Sequence, residues 1–486
     1  MLHYCKRCLM PDTKPDLSFD EVGICNACRN FERRKEVDWD ARRLELEEVF
    51  DRYRSKDGKN WDCIIPVSGG KDSTYQVIRA LQMGMTPLCV TSTTCDLADI
   101  GRKNIENIKK LGVDYIEFTT NRKVRTKLNK IGLTMVGDIS WPEHVSIFTI
   151  PVGVAVKYRV PLIIWGENAQ NEYGGPASAT ENNVLNRRWL EEFGGLLGLR
   201  VSDLVGMEGI QEKDLLAYTY PTNEELREVG VTGLFMGYYL PWDGLTNALI
   251  AQAHGFTTYP TTVEGSVVNY ENLDNYQTGI HDYFKFLKFG FGRATDITCL
   301  HVRRGRLTRR DGLELIMKHD GKFPWTYLGK SLEDILAPMD MPVEEFIRIC
   351  DRFTNKKLFV TDHRGNLVKD RFGNLTKINY DNQPEPQKTF DVTYLAYSKN
   401  YPFTVQYATG EPGKSQTETV NSYTFEKTLQ VAKYDYQMTL IVKCFTKYKK
   451  DSIHGMVKIL NQKDELGYAY ESFEGQVEVK LKTPNK

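Results

Sequence analysis

From Trp61 to Trp165 short apolar runs alternate with stretches of helical spacing, and no other feature restricts the fold as strongly. Cys63–Val67, Pro87–Thr91, Tyr115–Phe118 and Pro161–Trp165 read as buried strands. Between them Ser73–Met83, Leu97–Leu111 and the region up to about Tyr158 read as helices. Short, fully apolar runs suit strands covered on both faces, and helices between them supply the crossovers that parallel strands require. The pattern predicts an α/β domain with a parallel sheet and right-handed connections.

The rest of the chain divides around that core. Residues 1–30 form a Cys-rich knuckle, and 31–60 form a charged segment with Leu44, Leu46, Val49 and Phe50 near helical spacing. The α/β domain takes residues 61–180, and 181–380 read as mostly helical and substrate-binding, with dense Gly, Trp and Tyr between Leu234 and Tyr270. Asp381–Lys388, with Pro384 and Pro386, reads as a linker. Residues 389–486 read as an all-β domain, with strands at Thr389–Leu395, Thr404–Tyr407, Met438–Phe445 and Gln476–Leu481.

Lys plus Arg and Asp plus Glu number 64 each, so the chain lacks the basic excess of most proteins that grip long nucleic acids. That balance counts against nucleic acid as a partner. No apolar run approaches the roughly 18 residues that span a bilayer, so no membrane association is expected. Cys5 and Cys8 fall where a signal peptide would be apolar, and the cytoplasm is the expected compartment.

Ser68-Gly69-Gly70-Lys71-Asp72-Ser73 lies between an expected strand and an expected helix. There, backbone N–H groups and the positive helix end favour an anion. Gly69 and Gly70 admit a phosphate close to the backbone, Ser68 and Ser73 offer hydroxyls, Lys71 adds a charge, and Asp72 can hold Mg²⁺. The spacing is not that of a Walker A loop. The hexapeptide resembles the loop of the PP-loop ATPases, the adenine nucleotide alpha hydrolase-like group that includes asparagine, GMP and NAD synthetases and tRNA thiolases. That resemblance implies ATP as substrate and attack on its α-phosphate. It further implies catalytic roles for Lys71, Asp72 and Ser73, and places Thr91 and Gly166 around the nucleotide. Gly166 to Gly175 resembles the acidic loop over the phosphates in asparagine synthetases, making Glu167 and Glu172 candidates for Mg²⁺ beside Asp72. Either glutamate could equally be a solvated or capping residue.

Cys5-Lys6-Arg7-Cys8 and Cys25-Asn26-Ala27-Cys28 stand sixteen residues apart, the spacing of a zinc ribbon. Four thiolates would close a tetrahedral, structural Zn²⁺ site.

With Tyr4-Cys5-Lys6-Arg7-Cys8-Leu9-Met10-Pro11-Asp12-Thr13, the second knuckle and the phosphate loop, the chain resembles the N-acetyl sugar amidotransferases of bacterial surface-polysaccharide and nonulosonic-acid biosynthesis. Tyr238-Tyr239-Leu240-Pro241-Trp242-Asp243 and His281 to Thr295 extend the resemblance, which covers roughly residues 1–375. It implies conversion of a sugar acetamido group to acetamidino, with ATP cleaved to AMP and pyrophosphate. Leu2 stands where a glutaminase would carry its nucleophilic Cys, so ammonia is expected from separate glutaminase and cyclase-like subunits.

His281, Lys285, Lys288, Arg293, His301, Arg303, Arg304, Arg309 and Arg310 make a local basic excess, suited either to an anionic sugar or sugar nucleotide or to a solvated face. Asn168, Tyr173, Trp242 and Asp243 are further candidates for substrate contact. Trp242-Asp243 could also be a packed turn. Two other functions remain open from sequence. A tRNA thiolase would need a reactive Cys beside the nucleotide, and a nucleotide-binding scaffold would need no chemistry.

Overall fold

A computed structural model of the chain describes residues 2–175, 184–185, 196–378 and then 389–398, 403–408, 415–420, 424–432, 439–446, 452–459, 467–474 and 476–482. The linker expected at 381–388 lies outside the described residues. The chain divides into two compact units, one of Met1–Leu2, Pro11–Ala294 and His319–Tyr380, the other of His3–Met10, Thr295–Lys318 and Asp381–Lys486.

The first unit begins with α1 (Asn26–Arg33) and α2 (Trp39–Tyr53). Asp38 starts α2 by accepting from the Ala41 N–H at 3.0 Å. Leu46 and Phe50, four apart, are buried, whereas Leu44 is 51% exposed. The expected apolar stripe is therefore narrower than the sequence suggested, since a residue two places away faces the far side of a helix.

The central sheet has the order β3-β2-β1-β4-β6-β5. Its strands are β1 (Cys63–Pro66), β2 (Pro87–Thr93), β3 (Asp114–Thr119), β4 (Leu162–Trp165), β5 (Val184–Leu185) and β6 (Thr232–Phe235). Five run parallel, and β5 pairs antiparallel to β6 at the edge. The crossovers are α3 (Lys71–Gln82), α4 (Asp99–Lys109) and the pair α5 (Arg122–Val136) and α6 (Trp141–Tyr158). Ile64, Leu88, Val90 and Ile163 from the sheet bury together with Ile150, Val152, Val154 and Ala155 of α6. Strand β6 was not expected. Its four residues include Gly233, and so short a run carries almost no periodicity of its own.

The helices that follow include α7 (Ala169–Tyr173), α8 (Asn223–Val229), α9 (Met236–Tyr239), α10 (Gly244–Ala253) and α11 (Thr278–Phe289), and later in the unit β7 (Thr326–Tyr327) pairs antiparallel with β8 (Lys330–Ser331). Among the described residues no helix is long and apolar enough to cross a membrane.

The second unit contains most of α12 (Arg293–Arg303) and α13 (Arg309–His319). Eight strands follow, forming two antiparallel four-stranded sheets. They are β9 (Thr389–Ser398), β10 (Phe403–Ala408), β11 (Ser415–Val420), β12 (Thr424–Ala432), β13 (Thr439–Thr446), β14 (Ser452–Ile459), β15 (Gly467–Glu474) and β16 (Gln476–Lys482). The sheet orders are β11-β10-β13-β16 and β12-β9-β14-β15. The four strands read from sequence correspond to β9, β10, β13 and β16. In β10, Val405 and Tyr407 are buried while Thr404 and Gln406 are not, the alternation of a half-covered strand. The other four lacked a clear alternation; β11, for example, reads Ser-Gln-Thr-Glu-Thr-Val.

Candidate functional site

The phosphate loop leaves the carboxyl end of β1, where open parallel sheets bind their ligands. Gly69 has φ +85°. A Cβ there would lie 3.0 Å from the Ile105 backbone nitrogen and 3.2 Å from the Gly101 carbonyl oxygen, so the close approach to α4 requires glycine. Gly70 then sits at the N-cap of α3, and no side chain caps that end. Ser68 Oγ accepts from the Gly70 N–H at 3.3 Å. Ser73 Oγ accepts from the Ser68 N–H at 3.4 Å and donates to the Gly70 carbonyl at 3.1 Å. These local bonds shape the loop around the positive helix end.

Lys71 is buried, and its ammonium lies between two carboxylates, 2.6 Å from Asp72 and 2.9 Å from Glu271. Burial opposes its charge, but Asp72 and Glu271 outweigh that and hold its pKa well above the ordinary lysine value. Asn247 of α10 donates Nδ2 to the other Asp72 oxygen at 2.8 Å. Gly244, at the start of α10, would place a Cβ 3.1 Å from Lys71 Cε, so its bare backbone leaves room for the lysine. Neither Glu271 nor Asn247 was singled out from sequence. An Asn within the apolar Leu245–Ala251 run was the available signal.

Glu167 follows β4, and its carboxyl is pushed up to about 7, chiefly by burial and next by the nearby charge of Asp72. Glu172 pairs with Arg34, which also donates to the Trp242 carbonyl at 3.1 Å. Mg²⁺ prefers hard oxygen donors. Asp72 and Glu167 supply carboxylate oxygens, and the buried Asn247 Oδ1 makes no hydrogen bond. An orphaned oxygen beside two acids fits a hydrated divalent cation, so these residues could hold Mg²⁺. Glu172, the third expected Mg²⁺ ligand, is instead engaged by the Arg34 guanidinium.

The other expected residues fall in several places. Thr91 is buried at the end of β2 and donates to the Val67 carbonyl at 2.6 Å, tying strand to loop. Gly166 packs under Trp242, where a Cβ would come 3.2 Å from the indole. Trp242 also meets Tyr75 edge-on at 5.4 Å. Asp243 caps α10, accepting from the Thr246 N–H at 2.9 Å and its hydroxyl at 2.8 Å, and thereby fixes the helix that carries Asn247. Asn168 is buried, and its carbonyl accepts from the Glu172 N–H at 3.2 Å. Tyr173 ends α7 and is half-buried.

The basic stretch does not act as one surface. Lys285 lies 4.8 Å from the Phe291 ring, and Lys288 donates to the Val136 carbonyl at 2.7 Å. His281 turns to Asp138. Arg293 lies 3.4 Å from Asp282 and lines a cleft of about 230 Å³ with Asp320, Lys322, Trp325 and Tyr327. Aromatic walls with a few charged groups suit a polar ring bearing an anionic substituent. In the second unit, Arg309 donates to the Cys5 carbonyl at 3.2 Å.

Cys5, Cys8, Cys25 and Cys28 are all buried, and their sulfurs lie within 4.8 Å of one another. The Arg7 N–H reaches Cys5 Sγ at 3.4 Å, an N–H to sulfur contact within the first knuckle. Four such thiols could bind zinc. The isolated cysteines differ. Burial pushes the Cys63 and Cys89 thiols well up, and Cys95 up to about 11.

Residues 255–373 match the family model described as LPS biosynthesis protein WbpG-like, C-terminal domain. The match takes in Glu271, His281 and the Arg293 cleft, and it supports the family resemblance read from the sequence. No curated protein matches the chain. Among solved structures, that of NMN synthetase from Francisella tularensis covers 40% of this chain and 91% of that one, at 14% identity and a TM-score of 0.23, too low to bear on this fold or function.

Proposed function

We propose, from the lipopolysaccharide-biosynthesis description of the family matched by residues 255–373 and from the Lys71–Asp72 loop, that the chain is an ATP-dependent sugar amidotransferase. The amide oxygen of an N-acetyl sugar attacks the α-phosphate of ATP, and pyrophosphate leaves. Ammonia adds to the resulting imidate carbon, a proton is lost, and AMP departs with the former amide oxygen, leaving an acetamidino group. An amide carbonyl is a poor electrophile, and AMP turns its oxygen into a good leaving group.

The observation that carries this reading is the placement of Lys71 and the free α3 end beside Asp72, Glu167 and the orphaned Asn247 oxygen. The N–H groups and ammonium would stabilise charge developing on the phosphates, and the carboxylates would hold Mg²⁺. The Arg293 cleft offers a place for the anionic sugar or its nucleotide. Glutaminase and cyclase-like partners would supply ammonia. A thiolase reading is disfavoured by the raised Cys63, Cys89 and Cys95 thiols, because a reactive cysteine needs a lowered pKa.

The full chain is tested with ATP, Mg²⁺, ammonium and nucleotide-linked N-acetyl sugars. Sugar-dependent release of AMP and pyrophosphate is expected, with a product in which NH replaces the amide oxygen. ADP formation, or AMP release stimulated by tRNA and indifferent to sugar, would overturn the reading.

A further inference from the structure

A second cluster stands apart from the phosphate loop. Asp138 occupies the turn between α5 and α6, His144 the first turns of α6, and His281 the first turn of α11. Their donor atoms lie within 4.8 Å of one another. His281 Nδ1 is 2.8 Å from Asp138 Oδ1, and His144 Nδ1 is 2.9 Å from Oδ2. The two rings meet edge-on with centroids 5.0 Å apart. We propose that Asp138, His144 and His281 form a binding site for a divalent transition-metal ion.

Two imidazole nitrogens and one carboxylate oxygen are the donor set that zinc, manganese, iron, cobalt or nickel takes in preference to magnesium. Donors about 2.0–2.2 Å from one ion sit about 3 Å from each other, the spacing of each histidine from Asp138. A histidine hydrogen-bonded to a carboxylate would give similar distances. The angle separates the two cases at His144, whose buried Nδ1 makes no hydrogen bond despite its closeness to Asp138. At His144 the two groups approach as co-ligands do, near but not aimed at each other, whereas His281 Nδ1 is aligned for a hydrogen bond to Asp138 Oδ1.

The carboxylate is held in place for this role. Its Oδ1 accepts from the Ser140 N–H at 3.0 Å, and the Asp138 N–H donates to the Gly132 carbonyl at 3.0 Å. Outer hydrogen bonds of this kind orient metal ligands. Lys288 of α11 gives its ammonium to the Val136 carbonyl rather than to Asp138. Asp138 is 4% exposed, but the histidines keep 27% and 28%, which leaves a path for the ion and a face for further ligands. Three protein ligands leave at least one coordination position for water or a substrate oxygen. Glu143, next to His144, accepts from Thr94 Oγ1 at 3.2 Å just past β2, which places the first turn of α6 beside the carboxyl end of that strand.

The test uses the full chain loaded with Co²⁺ alone, passed through gel filtration and analysed for metal per chain. His144→Ala/His281→Ala is expected to retain one equivalent fewer than the parent, and its thermal midpoint no longer rises on adding Co²⁺ beyond the remaining sites. Equal cobalt in both proteins, or none retained by the parent, would overturn the proposal. Midpoints in EDTA report whether the variant is folded. If they differ widely, His281→Gln replaces the double variant under the same criterion.

Discussion

Replacing Lys71 by Met should expose how far the loop depends on a buried charge balance. The side chains of Lys71 and Glu271 are 8% and 10% exposed, and their ion pair spans 2.9 Å. Met keeps most of the apolar stem but leaves Glu271 buried with no cation. Breaking a buried pair from one side costs about 3–5 kcal/mol. At about 2–4 °C per kcal/mol, the thermal midpoint of the ligand-free chain should fall by roughly 6–20 °C. Glu271→Gln keeps the shape and leaves Lys71 paired with Asp72, so it should cost only about 1–2 kcal/mol. In Lys71→Met/Glu271→Gln no charge is stranded at position 271. The double variant should therefore be more stable than the two single losses imply, by about 1–3 kcal/mol. The cycle is measured by urea unfolding followed by tryptophan fluorescence. Additivity within about 0.5 kcal/mol would refute the coupling on which this account of the loop rests.

Gly69→Ala should destabilise the chain by about 1–3 kcal/mol, because φ is +85° and the new Cβ meets α4 at 3.0 Å. Calorimetric titration should show nucleotide binding lost with it, and unchanged binding would argue against the loop as phosphate site. Asp274 is half-buried, and burial pushes its carboxyl up to about 6, helped by the charge of Glu143 and opposed by its own backbone N–H. Its native pKa exceeds the unfolded one, so the stability it contributes is full below about pH 4 and lost as pH rises through about 6, by at most ~3 kcal/mol. Asp274→Asn should flatten that loss, and thermal midpoints with the same pH slope in both proteins would count against it. Cys25→Ser should abolish tightly bound zinc and lower the midpoint, as chelation of the parent should. A parent that carries no zinc when purified from zinc-supplemented cells would remove the ribbon.

The sequence determined what local patterns can encode. Alternating apolar runs fixed the parallel sheet, because strand and helix periods are properties of a few consecutive residues. Ser68–Ser73 marked a phosphate loop because glycine and a helix start leave a signature within six positions. Two Cys-x-x-Cys pairs marked a metal knuckle for the same reason. Even the Asp243 cap is legible, with Thr246 three residues on. Only the tertiary structure decided which charges meet. Asn247 reaches Asp72 across 175 residues, and His281 reaches Asp138 across 143. A lone Glu271 or His144 has no pattern around it in the chain. Its partner is chosen when helices pack, because a buried charge must find a counter-charge or a donor once water is excluded, and that choice is made in space rather than along the sequence.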